Sequence, residues 1–143
     1  MNYLDQKLCI AVWENDIEAV SEAIAFGADV DCFQVNGNTP LHLASEQGCF
    51  EIAELLLQSG ALVDKRTRGG FWTPLVHAVD MACDAAIQCQ STPDNRIIEL
   101  LIEYGANVNE ECSQSHRRTA LYIAMHNLNP EAEQMLRDAG AVE

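Results

Sequence analysis

The sequence predicts an all-α fold, a solenoid of four helix–turn–helix repeats, because one short phrase recurs along its 143 residues. A Gly-Ala-x-Val-Asp/Asn phrase ends three segments, at residues 27–31, 60–64 and 105–109, and a truncated copy spans residues 140–142. The interval from Gly27 to Gly60 is 33 residues long, and we call it the repeat interval. Between the phrases, apolar residues recur at helical spacing. Such units bury their core against neighbouring repeats, so four of them form a stable array.

The second unit is the most regular. It opens with Thr-Pro-Leu-His-Leu-Ala at residues 39–44. Thr39 can accept a hydrogen bond from the start of the helix, and Pro40 suits a first turn that needs no N–H donor. Gly48 then ends the first helix. Ile52, Leu55 and Leu56 are predicted to form the apolar stripe of the second helix.

The phrase at residues 39–44 and the repeat interval strongly resemble the ankyrin repeat family, and the resemblance covers nearly the whole chain. It implies one ankyrin repeat domain over residues 1–143, with repeats at about 3–31, 32–64, 65–109 and 110–143. It also implies hairpin-like connectors between repeats. Ankyrin arrays bind proteins through the tips of these connectors and the concave side of the first helices, without catalysis.

The first and last units are expected to close the array. In the first, Leu4, Leu8, Ala11 and Val12 face inward, and Tyr3, Asp5, Gln6 and Lys7 supply a polar outer surface. Residues 15–16 start its second helix, whose inner stripe is predicted to be Ile17, Val20, Ala23 and Ile24. The fourth unit runs from Thr119, and Pro130 opens the final helix.

The third unit carries an insertion. The interval from Thr73 to Gly105 is eleven positions longer than the matching interval in the second and fourth units. The Ala-rich part of segment 80–94 has helical propensity and is expected to lengthen the first helix, before a turn at residues 91–94. The insertion could be an extra contact ridge or a harmless extension. Packing is the preferred role for Met81, Cys83, Ile87 and Cys89.

Composition limits the class of protein. Hydrophobic residues make up 48% of the chain, yet no apolar run reaches the length of a membrane span, and the first residues lack the layout of a signal peptide. The six cysteines are scattered and are expected to be reduced thiols. These features favour a soluble, cytoplasmic, monomeric domain.

The resemblance directs attention to three tips, at residues 32–38, 65–72 and 110–118. We predict a partner-binding surface on these tips and on the first helices. It comprises Trp13, Phe33, Gln34, Ser45, Glu46, Lys65, Arg66, Arg68, Phe71, Trp72, Asp80, His116 and Arg117. In the middle tip, Phe71 and Trp72 beside arginines have the composition of an interface hot spot. Alternatively, the two aromatic rings fold back to cover the inserted helix.

Charge is unevenly distributed. The formal net charge is −14, but five of the eight basic residues lie in the second and third tips. Residues 1–64 hold eleven acidic side chains and one lysine. The dense acidic run at Glu14, Asp16, Glu18 and Glu22 is either a solvated helix face or a docking surface for a basic partner. Nucleic acid is not an expected partner, because the overall field repels phosphate.

The sequence favours neither an enzyme nor a metalloprotein. His42 belongs to the phrase at residues 39–44, where the resemblance implies a structural hydrogen bond between repeats. His77 is expected to be a partly buried helix histidine. Cys112 and His116 fall short of a tetrahedral metal site. No Gly-rich phosphate loop or catalytic constellation is present, and no cofactor is expected.

Three functions remain open at this point. The first is a non-catalytic module that binds one protein partner through its concave face and finger tips. The second is an acidic inhibitor or immunity-type protein that neutralises a basic toxin or nuclease. The third is a structural spacer. The basic tips favour the first over the second.

Overall fold

The computed structural model describes residues 2–112 and 118–143, which form eight α-helices and no β-strand. The helices are α1 (Tyr3–Trp13), α2 (Ile17–Ala25), α3 (Pro40–Gln47), α4 (Phe50–Gln58), α5 (Pro74–Cys89), α6 (Arg96–Glu103), α7 (Ala120–His126) and α8 (Pro130–Asp138). Consecutive helices pack in pairs. The first helices α1, α3, α5 and α7 contact one another in order, and so do the second helices α2, α4, α6 and α8. Two stacked helix layers result, which confirms the predicted solenoid.

The core lies between the two layers. One leucine from each first helix is almost fully buried: Leu8, Leu41, Leu75 and Leu121. Leu56, Leu101 and Leu136 are equally buried on the second helices. Each contributes about 1.5–3 kcal/mol from removal of apolar surface from water. The apolar spacing of the sequence predicted these stripes, with one error: Ile17, expected to face inward, is exposed at the first turn of α2.

Threonine side chains start three of the first helices. Thr39, Thr73 and Thr119 each accept a hydrogen bond from the backbone N–H of the third residue of the following helix, which satisfies one of its unpaired donors. Asp16 does the same for α2, as its position in the sequence predicted. The starts of these four helices are therefore set by short-range hydrogen bonds that the sequence shows directly.

The recurring phrase ends in Asp or Asn because that side chain joins successive repeats. Asp31 accepts a hydrogen bond from the backbone N–H of Leu62 at 3.1 Å, and Asp64 accepts one from Asn107 at 2.9 Å. Asn109 accepts one from Val142 at 2.9 Å. In each case the donor is the third residue of the phrase in the next repeat. We call this series the acid ladder.

Asp5 completes the acid ladder at the start of the chain. It was expected on the polar outer surface, but its side chain is buried and accepts a hydrogen bond from the backbone N–H of Asp29 at 2.9 Å. Asp29 is the third residue of the first phrase. Asp5 thus stands in for the ladder residue of a preceding repeat, because it supplies the acceptor for the N–H of the third residue of the first phrase.

The insertion lengthens α5, as predicted. This helix has 16 residues, against 8 in α3. Cys83 is buried in the extension, whereas Ile87 and Cys89 are exposed and Met81 is half-buried. The expectation that all four pack was therefore wrong for Ile87 and Cys89, because the last turns of α5 extend past the ends of their neighbours.

Candidate functional site

The first two tips are tight backbone turns. In the first tip, the Gln34 N–H donates to the Asn38 carbonyl at 2.8 Å. In the middle tip, the Thr67 N–H donates to the Trp72 carbonyl at 2.9 Å. Both turns contain a glycine at positive φ, Gly37 and Gly70, where other residues are strained. Their side chains are therefore displayed on ordered backbone.

The two tips are also joined to each other. The Arg68 N–H donates to the Gly37 carbonyl at 2.8 Å, so the middle tip pairs with the first. A Cβ on Gly37 would lie 3.1 Å from the Cβ of Arg68, which is too close for easy accommodation. Glycine is required here because two backbones meet.

Side chains from both tips form one aromatic and basic cluster. Lys65 Nζ lies 4.8 Å from the centre of the Phe33 ring, and the Arg68 guanidinium carbon lies 5.2 Å from it. A cation over an aromatic face is attracted by the ring's quadrupole. We call Phe33, Lys65 and Arg68 the finger cluster. It combines three of the residues that the sequence predicted for partner binding.

Arg66 points to the third tip. It forms an ion pair with Glu110, and its Nη1 donates to the Gly70 carbonyl at 2.7 Å. Gln34, another predicted site residue, is half-buried in the first tip. Arg66 therefore helps to order the row of tips, and its charge is partly neutralised there.

The structure separates the two aromatic residues of the middle tip. Trp72 is half-buried against the core and meets His77 of α5 edge-to-face, with ring centres 5.0 Å apart. Phe71 remains 37% exposed at the end of the tip. Trp72 thus folds back on the start of α5, before the inserted segment, which agrees with the second interpretation for one ring only, and Phe71 stays exposed.

His42 ties the second repeat to the middle tip. Its Nε2 lies 3.0 Å from the Trp72 carbonyl, and its Nδ1 lies 3.3 Å from the Thr39 backbone nitrogen. Because a carbonyl only accepts and an N–H only donates, Nε2 carries the proton. Burial lowers the pKa of His42 to about 4, although the bond to Trp72 works in the opposite direction. His77 is partly buried, and burial also lowers its pKa.

Three further predicted residues form a row across the first helices. Trp13, Glu46 and Asp80 occupy the same repeat position on α1, α3 and α5, and His126 continues the row on α7. Trp13 is exposed, and Glu46 and Asp80 are half-buried. We call this series the helix row. The second helices do not contribute to it, so a partner would meet one helix layer and the tips.

Ser45 is removed from the candidate surface. Its side chain is buried, and its hydroxyl donates to the Leu41 carbonyl at 2.8 Å within α3. Small polar residues often make this backbone contact one turn back along a helix. A hydroxyl engaged in this way is not available to a partner.

A cavity of about 460 Å³ lies between the middle tip and the fourth repeat. Trp72 and Asp80 line it, together with Cys112, Arg118 and four residues that the sequence did not single out: Tyr122, Ile123, His126 and Asn127. The Tyr122 and His126 rings stack at 3.8 Å, and Arg118 lies 5.9 Å from the Tyr122 ring centre. Burial and the charge of Asp84 raise the pKa of Asp80, against the influence of Arg118.

Two predicted site residues, His116 and Arg117, lie outside the described residues. The acidic run at Glu14, Asp16, Glu18 and Glu22 is exposed on and before α2. Within the described parts of the chain, no group of three or more His, Cys, Asp or Glu side chains is arranged to hold a metal ion.

Comparison with known proteins agrees with this architecture. A family model for ankyrin repeats, in three copies, matches residues 8–89, which is more than half of the chain. The chain belongs to the ankyrin repeat family. Repeats of this family are generally protein–protein interaction modules and generally non-catalytic.

Several curated proteins share the repeats. The chain is 46% identical over 66 residues to Potassium channel AKT1 of Oryza sativa subsp. indica, covering 46% of the chain and 7% of the channel. It is 34% identical over 94 residues to Ankyrin repeat domain-containing protein 13B of Mus musculus, covering 65% and 13%. It is 30% identical over 117 residues to Serine/threonine-protein kinase 12 of Arabidopsis thaliana, covering 82% and 22%. The matches span less than a quarter of these relatives.

Over residues 2–112 and 118–143, none of the helices is long and apolar enough to cross a membrane.

Proposed function

We propose that this chain is a non-catalytic binding module that holds one protein partner on its tips and first helices. The observation that carries the proposal is the finger cluster, in which two cations lie over the ring of Phe33 on paired tips. Phe71 adds an exposed aromatic ring to the middle tip, which also carries Lys65 and Arg68. Aromatic residues and arginine dominate the binding energy of protein interfaces.

Order in the tips supports this proposal. Their backbone hydrogen bonds and the pairing of Arg68 with Gly37 hold the cluster in place before a partner arrives. A surface that is already ordered loses less conformational entropy on binding. The helix row extends the surface with a tryptophan and two carboxylates, Trp13, Glu46 and Asp80. A complementary partner would present an apolar or acidic feature to the tips and a basic or polar feature to the helix row.

A second function is favoured by the exposed acidic run. Glu14, Asp16, Glu18 and Glu22 lie on one repeat of a chain with net charge −14. A basic toxin or nuclease could be steered to this region and inhibited. This alternative differs from the first in the residues that matter and in its dependence on salt.

Capture of partners at two salt concentrations distinguishes these functions. The immobilised chain is exposed to a lysate of its source at about 0.05 M and about 0.5 M salt, where the screening length falls severalfold. In parallel, the Arg68→Ala/Phe71→Ala variant is tested. Phe26→Ala serves as a control, since Phe26 is 68% exposed at the end of α2, outside the tips.

The expected result is one protein captured at both salt concentrations by the wild type and by Phe26→Ala, but not by the double variant. A basic protein that is lost at high salt and captured equally by the double variant would support the inhibitor function instead. Failure to capture any specific protein at either salt concentration would contradict both and favour a structural spacer.

A further inference from the structure

A pair of cysteines lies where α1 meets the first tip. Cys9, on α1, lies one repeat interval before His42 and therefore holds the same repeat position. His42 ties its helix to the next tip through the Trp72 carbonyl. Cys9 instead contacts Cys32, the first residue of the first tip, with the two Sγ atoms 3.7 Å apart. A pair of thiols thus occupies a position where the second repeat has a histidine hydrogen bond.

Both sulfurs are shielded but reachable. The exposed fraction is 9% for Cys9 and 7% for Cys32, and neither is in a disulfide. Cys9 lines a shallow apolar groove together with Ile10 and Val35. Cys32 lines a separate polar groove on the other side, together with Asp29 and Lys65. Each cysteine thus borders a surface groove, from which a small oxidant such as hydrogen peroxide can approach the pair.

The contact between the two sulfurs favours reaction at Cys9, because Cys32 stabilises its thiolate by a hydrogen bond. The hydrogen bond between the sulfurs lowers the pKa of Cys9, against burial and the charge of Asp5, and raises the pKa of Cys32. By contrast, burial raises the pKa of the thiols of Cys49, Cys83 and Cys112. Thiolates are the reactive form of cysteine, so Cys9 differs chemically from the other buried cysteines, and Cys32 lies beside it as a second thiol.

We propose that Cys9 and Cys32 form a reversible disulfide when the chain meets a peroxide, and that this bond locks the first tip onto α1. One thiolate attacks a peroxide oxygen, the O–O bond breaks and hydroxide leaves, which produces a sulfenic acid. The second thiol attacks that sulfur, its proton passes to the departing hydroxide, and water leaves. In sum, two thiols and one hydrogen peroxide give one disulfide and two waters, with two electrons passing to the peroxide. A dithiol reductant reverses the reaction by thiol–disulfide exchange.

The lock would act beside the finger cluster, because Phe33 directly follows Cys32. Fixing Cys32 to α1 restrains the backbone that presents the Phe33 ring to Lys65 and Arg68. The inference does not depend on the proposed partner, since disulfide formation and its effect on stability can be measured in the isolated chain.

The test uses a Cys89→Ser background, which removes the exposed thiol that could link two chains. The protein is treated with increasing hydrogen peroxide, unfolded, alkylated and mapped by mass spectrometry. We expect a linked Cys9–Cys32 peptide at doses that leave Cys49, Cys83 and Cys112 open to alkylation. Dithiothreitol should restore both thiols. The melting temperature of the oxidised chain should rise by roughly 10 °C, because the bond restricts the unfolded chain.

Single variants serve as controls. Cys9→Ser and Cys32→Ser, in the same background, should lose both the linked peptide and the rise in melting temperature, whereas Cys49→Ser should keep them. Circular dichroism under reducing conditions checks that each variant is folded. If only one of Cys9→Ser and Cys32→Ser folds, that variant alone is a sufficient control. The proposal is wrong if Cys9 and Cys32 are oxidised no faster than Cys49, or to separate sulfinic acids. A linked peptide without thermal stabilisation would overturn the locking role.

Discussion

The second and third helix pairs begin alike and then diverge. Both first helices, α3 and α5, start with Thr-Pro-Leu and are capped by the threonine. At the next position the second pair has His42, and the third has Val76. His42 joins its helix to the middle tip, whereas Val76 is buried and has no polar side-chain group. The helix of the second pair stops at Gly48, but that of the third continues to Cys89.

This difference shows which parts of a repeat are constrained. The start of the helix and the core leucine are common to both pairs, because each repeat must stack on the next. The hydrogen bond from His42 to the Trp72 carbonyl is present in one of the two pairs only, so stacking does not require it in every repeat. Stacking does not fix the length of a first helix, because the C-terminal end of α5 extends beyond the layer of first helices. Variation at these free positions is where an array can acquire its own binding properties.

The largest expected effect of the difference between the two pairs is on how the stability of the chain depends on pH. The pKa of His42 is about 4 in the folded chain and about 6.5 when unfolded. Between these values the unfolded chain binds more protons, so stability must fall as pH is lowered. We expect a loss of about 3 kcal/mol in the free energy of unfolding from pH 7 to pH 4 through this residue. Urea unfolding across this range measures the effect.

Replacement of His42 by the residue of the third pair should remove that dependence. His42→Val should cost about 2 kcal/mol at pH 7, because the Thr39 N–H loses its acceptor. At pH 4 the variant should equal or exceed the wild type, since the wild type has lost the larger amount. Val76→Ala is the control: it removes apolar contacts and changes no ionisable group, so its cost should be the same at pH 7 and pH 4. Parallel pH curves for the wild type and His42→Val would contradict the assignment.

The acid ladder crosses from the second pair to the third, and a smaller effect tests it. Asp64→Ala removes the acceptor for the Asn107 N–H and should cost about 1.5 kcal/mol. Asp64→Asn should cost less than about 0.5 kcal/mol, because Asn109 already plays this role in the next repeat. Chemical denaturation measures both. Equal losses in the two variants would show that charge, rather than the hydrogen bond, is what matters.

The smallest effect concerns the ends of the two helices. Gly48 and Gln90 both adopt positive φ, at 72° and 51°. A Cβ on Gly48 would meet no atom within 4 Å, so substitution there has only a conformational cost. Gly48→Gln should destabilise by about 1 kcal/mol, and Gln90→Gly should stabilise by about 0.5 kcal/mol. Thermal melts of the two variants should shift in opposite directions; a shift of both in one direction would contradict this account.

Local features of the sequence were sufficient to predict much of the fold. The caps at Thr39 and Asp16 and the lengthened α5 depend on neighbouring residues, and all were predicted. The burial of Asp5 was not, because its partner, the N–H of Asp29, belongs to the distant end of the same repeat. Ser45 was misplaced for a related reason: the sequence gives its helix, but not which side of that helix the neighbouring repeats cover.

The candidate site could be predicted only in part. Residue type pointed to Lys65, Arg68 and Phe71, because aromatic and basic residues at tips are unusual in this acidic chain. The contact of Lys65 and Arg68 with Phe33 depends on the pairing of tips from two different repeats, which spacing alone does not determine. Tyr122 and His126 were missed, although their i, i+4 spacing places them on one helix face.

The most direct test of the central claim is the affinity of the captured partner for matched variants, measured by titration calorimetry at about 0.15 M salt. The account predicts that Arg68→Ala/Phe71→Ala weakens binding by at least about tenfold, which corresponds to about 1.4 kcal/mol, while Phe26→Ala leaves it unchanged. Both variants should retain the melting temperature of the wild type. Unchanged affinity in the double variant, or an equal loss in Phe26→Ala, would contradict the placement of the binding surface on the tips.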